Sequence, residues 1–506
     1  MKRVQFVSRV RIVTLATVLC AGIIVGRLYM LQIVEGDVYA AKANAQFTPL
    51  PAPLLDRHTI YFSDKNGTLI TAASMADVGT SSQRKRFYPG GTLAAHAVGF
   101  VAYNNDNVQK GRYGLERYYD QMLIRTDEDL YSNFFVELFS AAKTLFGGTS
   151  ETGSIITSIE PTVQTELERT LATYSSDWKP KLAGGIIMDP KTGEIIAMAI
   201  APTFDLNTFN EQRDPAIFSN PLVQNVYEMG SIIKPLTVAA GLDSGSITAQ
   251  TTYTDEGCLT IFDKKICNFD LRARGTVPIQ EILSQSLNLG VAFVAQKTGP
   301  DIMREYFLER YKLGVETGID LPSEAHGLVD NLKGNVPVEF ATASFGQGIA
   351  ITPIETVRAL AVLANGGKLI TPHVVKAVRF DSGVERELEW GEGEEVISPN
   401  TATQVSRMLT EVVDTSLANG QIKNPRYSVA AKTGTAQIAN PSGGGYYTDR
   451  FLHSFFGYFP SFDARFLVFF FAVEPTGASY SSQTWAQPFH SITQFLISYY
   501  NIPPDR

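Results

Sequence analysis

A serine hydroxyl becomes an effective nucleophile only when a nearby base takes its proton. Ser231-Ile232-Ile233-Lys234 supplies such a pair, because positions i and i+3 share one helix face and bring the amine within reach of the hydroxyl. A lysine acts as a base only while neutral, which requires burial or a cationic neighbour. Pro235 follows Lys234, and proline is tolerated only in the first turn of a helix. Ser231 is therefore expected at a helix N-terminus, where free backbone N–H groups favour developing negative charge. Spacing alone is a weak signal. Ser82 and Lys85, Ser140 and Lys143, and Ser176 and Lys179 repeat it and read as solvated surface pairs. Two other polar patterns stand downstream, Ser286-Leu287-Asn288 and Lys432-Thr433-Gly434-Thr435. Each has decoys of its own. Ser398-Pro399-Asn400 reads as a loop, and Lys-Thr-Gly recurs at Lys191, in a turn, and at Lys297, at a helix end.

The elements that must position these groups alternate strands and helices. Thr162 to Tyr174 reads as a helix. Leu182 to Met188 and Glu194 to Ala199 read as strands joined by the turn Asp189-Pro190-Lys191-Thr192-Gly193. A second hairpin comes late, from Ser454 to Phe459 and from Arg465 to Val473, with its turn at Pro460 to Ala464; the aromatic run Phe466 to Phe471 reads as a buried strand. Helical stretches lie between the hairpins at Lys234 to Leu242, Val277 to Gln296 and Pro353 to Asn365. Strands at both ends with helices between them predict an α+β domain over 158–506, helices packed on an antiparallel sheet. Residues 35–157 read as a smaller, irregular, strand-containing domain, with a strand at Thr59 to Ser63, a turn at Asp64-Lys65-Asn66-Gly67 and an amphipathic stretch from Phe134 to Phe146. Gly391 to Glu395 and Pro441 to Gly445 read as loops.

The 506 residues carry a net charge of −8, so no basic field points to nucleic acid. Six scattered histidines and three cysteines form no zinc pattern, and no phosphate-binding loop is present, so neither a metal nor another cofactor is expected. Cys20 lies in an apolar run. Cys258 and Cys267 flank a hairpin-like stretch with a turn at Asp263-Lys264-Lys265; a disulfide and a pair of buried free thiols both remain open for them. At the N-terminus, Lys2, Arg3, Arg9 and Arg11 precede an apolar run from Ile12 to Val34, broken at Arg27. That length approaches the ~20 residues a helix needs to cross a bilayer. The basic flank orients 1–11 to the cytoplasm, 12–34 as a single membrane anchor and the rest outside the cell membrane; the rival readings are a buried helix and a cleaved signal peptide, for which the run is long and lacks a small-x-small cleavage site.

In context, the three polar patterns occur in the order found in penicillin-binding proteins and serine β-lactamases, and the chain strongly resembles the class B penicillin-binding proteins of bacteria. The resemblance extends through Gly26 to Tyr39, Gly114 to Tyr119, Met188 to Met198, Phe345 to Pro353 and Ala364 to Gly367. Two departures are Met229, where the family usually has proline, and Arg57-His58-Thr59, where many members read Arg-Gly. The resemblance implies a pedestal domain over 35–157 and a serine D,D-transpeptidase acting on D-Ala-D-Ala stem peptides of peptidoglycan and inhibited by β-lactam antibiotics. Ser231 would carry the acyl group and Lys234 would be its general base. Ser286 would relay a proton to the leaving D-alanine. Asn288 would bind the substrate amide and hold Lys234. Lys432, Thr433, Gly434 and Thr435 would line the substrate, and the backbone N–H groups of Ser231 and Thr435 would form the oxyanion hole. A polytopic glycosyltransferase partner is implied for strand polymerisation. The alternatives are a D,D-carboxypeptidase, a serine β-lactamase, a β-lactam sensor and a silent scaffold of a wall-synthesis complex.

Overall fold

The computed structural model describes residues 56–77, 84–103, 109–125, 152–261, 264–440 and 442–506, with residues 15, 19–22, 24–27 and 30 near the N-terminus. The expected anchor at 12–34 lies largely outside the described residues, and the stretch Phe134 to Phe146 lies wholly outside them. Among the described residues no helix is long and apolar enough to cross a membrane. Met1–Leu54 forms one unit and Leu55–Arg506 a second.

The centre of the second unit is a five-stranded antiparallel sheet. Its strands are β1 (Leu182–Met188), β2 (Ile195–Ala201), β3 (Ala430–Ala439), β4 (Tyr446–Phe459) and β5 (Phe466–Val473), in the order β2-β1-β5-β4-β3. The pairs β1–β2 and β4–β5 are the two hairpins predicted from sequence. β5 lies in the middle of the sheet, and Phe466 to Ala472 are all buried, as a strand covered on both faces requires. One face carries α1 (Pro161–Trp178) and the C-terminal helix (Ser481–Tyr499). Trp485 of the latter stacks between Tyr174 of α1, at 3.6 Å, and Phe470 of β5, at 4.7 Å. Gly185 of β1 makes room for this packing, since a Cβ there would meet the Phe470 ring and Leu167 at 2.9 Å.

Other helices form the rest of the core. In α2 (Lys234–Asp243) every residue from Lys234 to Gly241 is buried. A helix buried all round must be apolar all round, and α2 meets this condition except at Lys234 and at Thr237, whose hydroxyl donates to the Ser344 carbonyl at 2.8 Å. The stretch Val277 to Gln296 is not one helix, as its apolar spacing had predicted. It is a strand at Gly275–Pro278, a short helix at Gln280–Ser284 and then α3 (Asn288–Thr298). The break falls at Ser286, whose φ is +56°, a left-handed conformation no helix can contain. The hairpin before it also differs from expectation. Cys258–Ile261 pairs with Lys264–Cys267, so Lys264 and Lys265 lie in a strand and not in the turn. Cys258 and Cys267 face each other across this hairpin and are joined by a disulfide. Glu394–Glu395, at the end of the stretch read as a loop, pairs with Lys368–Leu369.

A second sheet runs Glu385–Glu387, Val375–Phe380, Gly153–Thr157, Ile60–Ser63, Leu69–Asp77, Arg84–Phe87. It therefore takes strands from both sides of residue 157. Beside it, Glu116 is fully buried and accepts from Arg57 Nε and Arg86 Nε, each at 2.7 Å, while Arg57 also pairs with Asp120 at 2.8 Å. Such a charge tolerates burial only with full pairing. The pairing ties Gly114 to Tyr119 to the Arg57-His58-Thr59 stretch.

Candidate active site

Ser231 is half-buried and lies in a single 3-10 turn, Gly230–Ile233, that feeds directly into α2. It thus stands at the N-terminus of a helix, as Pro235 required. Two glycines shape the turn. Gly230, at φ +67°, donates its N–H to the Gly346 carbonyl at 3.0 Å. A Cβ on Gly346 would lie 2.3 Å from the Gly230 carbonyl oxygen, so only glycine permits this approach. Met229, the departure from proline, is buried, and its carbonyl accepts the Ser454 hydroxyl at 2.7 Å.

Lys234 is the first residue of α2 and is fully buried. Its Nζ donates to the Ser286 carbonyl at 2.6 Å, the Asn288 Oδ1 at 2.8 Å and the Ser286 Oγ at 3.2 Å. The left-handed backbone at Ser286 is what turns both its carbonyl and its hydroxyl towards this amine, at a cost of about 1 kcal/mol or more. Asn288 opens α3. Its Nδ2 donates to the Cys267 carbonyl at 3.0 Å, which fixes the amide so that the oxygen faces Lys234.

Lys432 approaches from the other side. It lies in β3, is buried, and donates to the Ser286 Oγ at 3.0 Å and to the Thr433 carbonyl at 3.1 Å. The Ser286 hydroxyl is therefore shared by two lysines. Burial, and then the charge of Lys432, hold the Lys234 amine well below its ordinary range. Burial brings Lys432 down to about 7. Two ammonium groups cannot comfortably be charged this close in a dry site, so Lys234 can rest neutral beside a Lys432 that carries the charge near neutral pH.

β3 is the edge strand of the sheet, which leaves alternate backbone N–H groups free to meet a ligand. Thr433 and Thr435 are half-buried, and the Thr435 hydroxyl accepts the Ser481 N–H at 3.1 Å. Gly434 is buried. A Cβ there would meet Ser454 Oγ at 2.2 Å and the Met229 carbonyl at 2.7 Å, so glycine lets β3 press against the nucleophile turn. The position a Cβ on Gly230 would take lies 3.2 Å from the Thr435 backbone, so the segments of the two expected oxyanion-hole residues are adjacent.

The structure thus gathers Ser231, Lys234, Ser286, Asn288, Lys432, Thr433, Gly434 and Thr435 in one region and leaves the decoys elsewhere. Ser176 and Lys179 are exposed at the end of α1, Lys191 pairs with Asp463 in a turn, Lys297 ends α3, and Ser398 caps the helix Pro399–Glu411. Ser82, Ser140 and Lys143 lie outside the described residues. Sequence reasoning missed Ser454, Gly346 and the Cys267 carbonyl. Only Gly346-Gln347-Gly348 had a visible signal, a paired-glycine loop. Among the described residues no cluster of His, Cys, Asp and Glu could hold a metal ion.

Comparison with known proteins agrees with this geometry. Residues 183–494 match the penicillin binding protein transpeptidase domain. The chain is 28% identical over 439 residues to the penicillin-binding protein PbpB of Mycolicibacterium smegmatis, covering 84% of this chain and 67% of that protein. It is 28% identical over 442 residues to the stage V sporulation protein D of Bacillus subtilis, covering 84% of this chain and 66% of that protein. It therefore spans about two thirds of the length of these relatives. The crystal structure of penicillin-binding protein 3 from Mycobacterium tuberculosis superposes with a TM-score of 0.76 at 25% identity, over 89% of this chain and 98% of that one. The domain match, the shared fold and the ordered serine, lysine and asparagine groups lead to one conclusion: the chain belongs to the penicillin-binding protein transpeptidase family, as a class B member.

Proposed function

We propose that the chain is a serine D,D-transpeptidase that cross-links peptidoglycan stem peptides through an acyl-enzyme on Ser231. The observation that carries this reading is the Lys234 amine, buried and neutralisable, one turn after Ser231 and held by Ser286 and Asn288. Relatives from Acinetobacter baumannii and Buchnera aphidicola named peptidoglycan D,D-transpeptidases support it.

Neutral Lys234 takes the Ser231 proton as Oγ attacks the carbonyl of the penultimate D-alanine. Backbone N–H groups of Ser231 and Thr435 receive the developing oxyanion. The peptide C–N bond then breaks. The proton held by Lys234 passes through the Ser286 hydroxyl to the departing D-alanine nitrogen, leaving an ester on Ser231 and a neutral lysine. Asn288 binds the substrate amide, Lys432 faces the terminal carboxylate, and Thr433 and Thr435 hydrogen-bond along β3. An amine of a second stem peptide attacks the ester, loses a proton to Lys234, and Ser231 recovers its hydrogen as the cross-link forms. A β-lactam enters by the same attack, but its leaving nitrogen stays tethered. On this reading 12–34 anchors the chain in the cell membrane, 35–157 is the pedestal, 158–506 is the catalytic domain outside the cytoplasm, and a polytopic glycosyltransferase makes the strands it joins.

A transpeptidase must hold its acyl-enzyme dry until an amine arrives, whereas a β-lactamase must hydrolyse it. No Glu-x-x-x-Asn sequence, the source of the hydrolytic base in one large β-lactamase class, occurs between Asn288 and Lys432. After a short penicillin pulse the adduct is expected to persist for many minutes by intact-protein mass spectrometry. Loss within seconds, with steady penicillin consumption, would transfer the chain to the β-lactamases.

A further inference from the structure

The Cys258–Cys267 hairpin is a two-stranded sheet with four residues on each side and, among the described residues, no third strand. A hairpin of that size is marginal in water by itself; here Ile261 and Ile266 are buried in the core and the disulfide closes the open end. Two of its connections reach the first turn of α3. The Cys267 carbonyl accepts the Asn288 Nδ2 at 3.0 Å, and the Oδ1 of buried Asn268 accepts the Leu289 N–H at 3.2 Å. α3 has no side-chain cap from its own preceding residue, Leu287. Asn268 is itself fixed, because its Nδ2 donates to both oxygens of buried Asp255, each at 2.9 Å. Directly beyond, the exposed ring of Phe269 stands edge-on to that of Tyr480, with centroids 5.6 Å apart. Tyr480 immediately precedes Ser481, whose N–H holds the Thr435 hydroxyl. The hairpin therefore reaches the Asn288 side of the site through Cys267, and the two residues that follow it reach α3 and, through Tyr480, the β3 side. The disulfide is the one covalent tie in this segment, and both cysteines are half-buried.

We propose that the Cys258–Cys267 disulfide is a positioning device for catalysis. It fixes the Cys267 carbonyl, which orients the Asn288 amide and, through it, the amine of Lys234. With the bridge open, the hairpin frays, the amide loses its anchor, and the base is presented in a spread of geometries. This rests on the transpeptidase reading, because it assumes that Lys234 is the base. Reduction by a dithiol adds two hydrogens across the S–S bond, gives two thiols and oxidises the dithiol to its own disulfide, so an external thiol can switch the device.

The test compares acylation by a fluorescent penicillin in three samples. These are the oxidised chain, the same chain reduced with dithiothreitol and checked for two new thiols by mass, and Cys258→Ser/Cys267→Ser. The first-order acylation constant is expected to fall about tenfold to a hundredfold, as misplacement of a reacting group does. The dissociation constant of the encounter complex should stay within about twofold, a split that general destabilisation would not give. In an Asn288→Ala background the loss should largely vanish, because residues acting in series are not additive. If the double-serine variant fails to fold, the reduced native chain alone decides the matter. Equal acylation in oxidised and reduced chains, or an undiminished loss without the Asn288 amide, would overturn the proposal. Failure of the oxidised chain to acylate at all would instead reject the functional reading.

Discussion

The two lysines around Ser286 make the rate of acylation depend on pH in a way that separates their roles. Lys234 must be neutral to take the Ser231 proton, so the rate should rise with pH through its depressed value. Lys432 must be charged to face a carboxylate, so the second-order constant, which reports the free enzyme, should fall above about 7. The charged fraction of a lysine with a value near 7 drops roughly 50-fold between about pH 7 and about pH 9. The decline should level off at the rate of the uncharged form, since one such group contributes ~10²–10³. Stability moves the other way. A lysine whose folded value is depressed binds fewer protons folded than unfolded. Its cost is full below the folded value and recedes as pH climbs from about 7 towards the unfolded value near ~10.4. Alkaline loss of rate from this group is therefore not loss of fold. Stopped-flow labelling with a fluorescent penicillin, with thermal midpoints taken at each pH, would follow both. Lys432→Arg keeps its charge across this range, so its profile should be lower but lack the alkaline limb. A wild-type rate flat from about pH 6 to about pH 9, or an unchanged limb in Lys432→Arg, would refute the assignment of charge to Lys432.

Asn288→Ala and Lys432→Ala should each slow acylation by ~10²–10³ while the thermal midpoint moves little; acylation at the wild-type rate would remove that residue from the machinery. Gly434→Ala forces a Cβ to within 2.2 Å of Ser454 Oγ and 2.7 Å of the Met229 carbonyl. It should cost ~1–3 kcal/mol by denaturant titration and displace the nucleophile turn, whereas a stability equal to wild type would show that β3 does not press on that turn.

The site was legible where its chemistry is local. Ser231 and Lys234 are one turn apart, and Pro235 fixes which turn. The central strand Phe466–Val473 follows from a run of apolar residues. What could not be read depends on distance or on strain. Apolar positions at helical spacing run through Val277 to Gln296, and nothing in that pattern marks Ser286 as left-handed; in that conformation its carbonyl and hydroxyl both reach Lys234. The pairing of Gly153–Thr157 with Val375–Phe380 joins segments more than two hundred residues apart, and hydrophobic patterning carries no record of a strand's partner. The buried cluster of Arg57, Arg86 and Glu116 was hidden for the same reason, because each residue alone looks like a surface charge.

The central claim is that Ser231 carries the acyl group. Proteolysis and tandem mass spectrometry of the penicillin-treated chain would test it most directly, alongside Ser231→Ala and the decoy Ser176→Ala. One penicilloyl group is expected, on the peptide containing Ser231, absent from a folded Ser231→Ala and undiminished in Ser176→Ala. An adduct on any other residue, or labelling of Ser231→Ala equal to wild type, would contradict the claim.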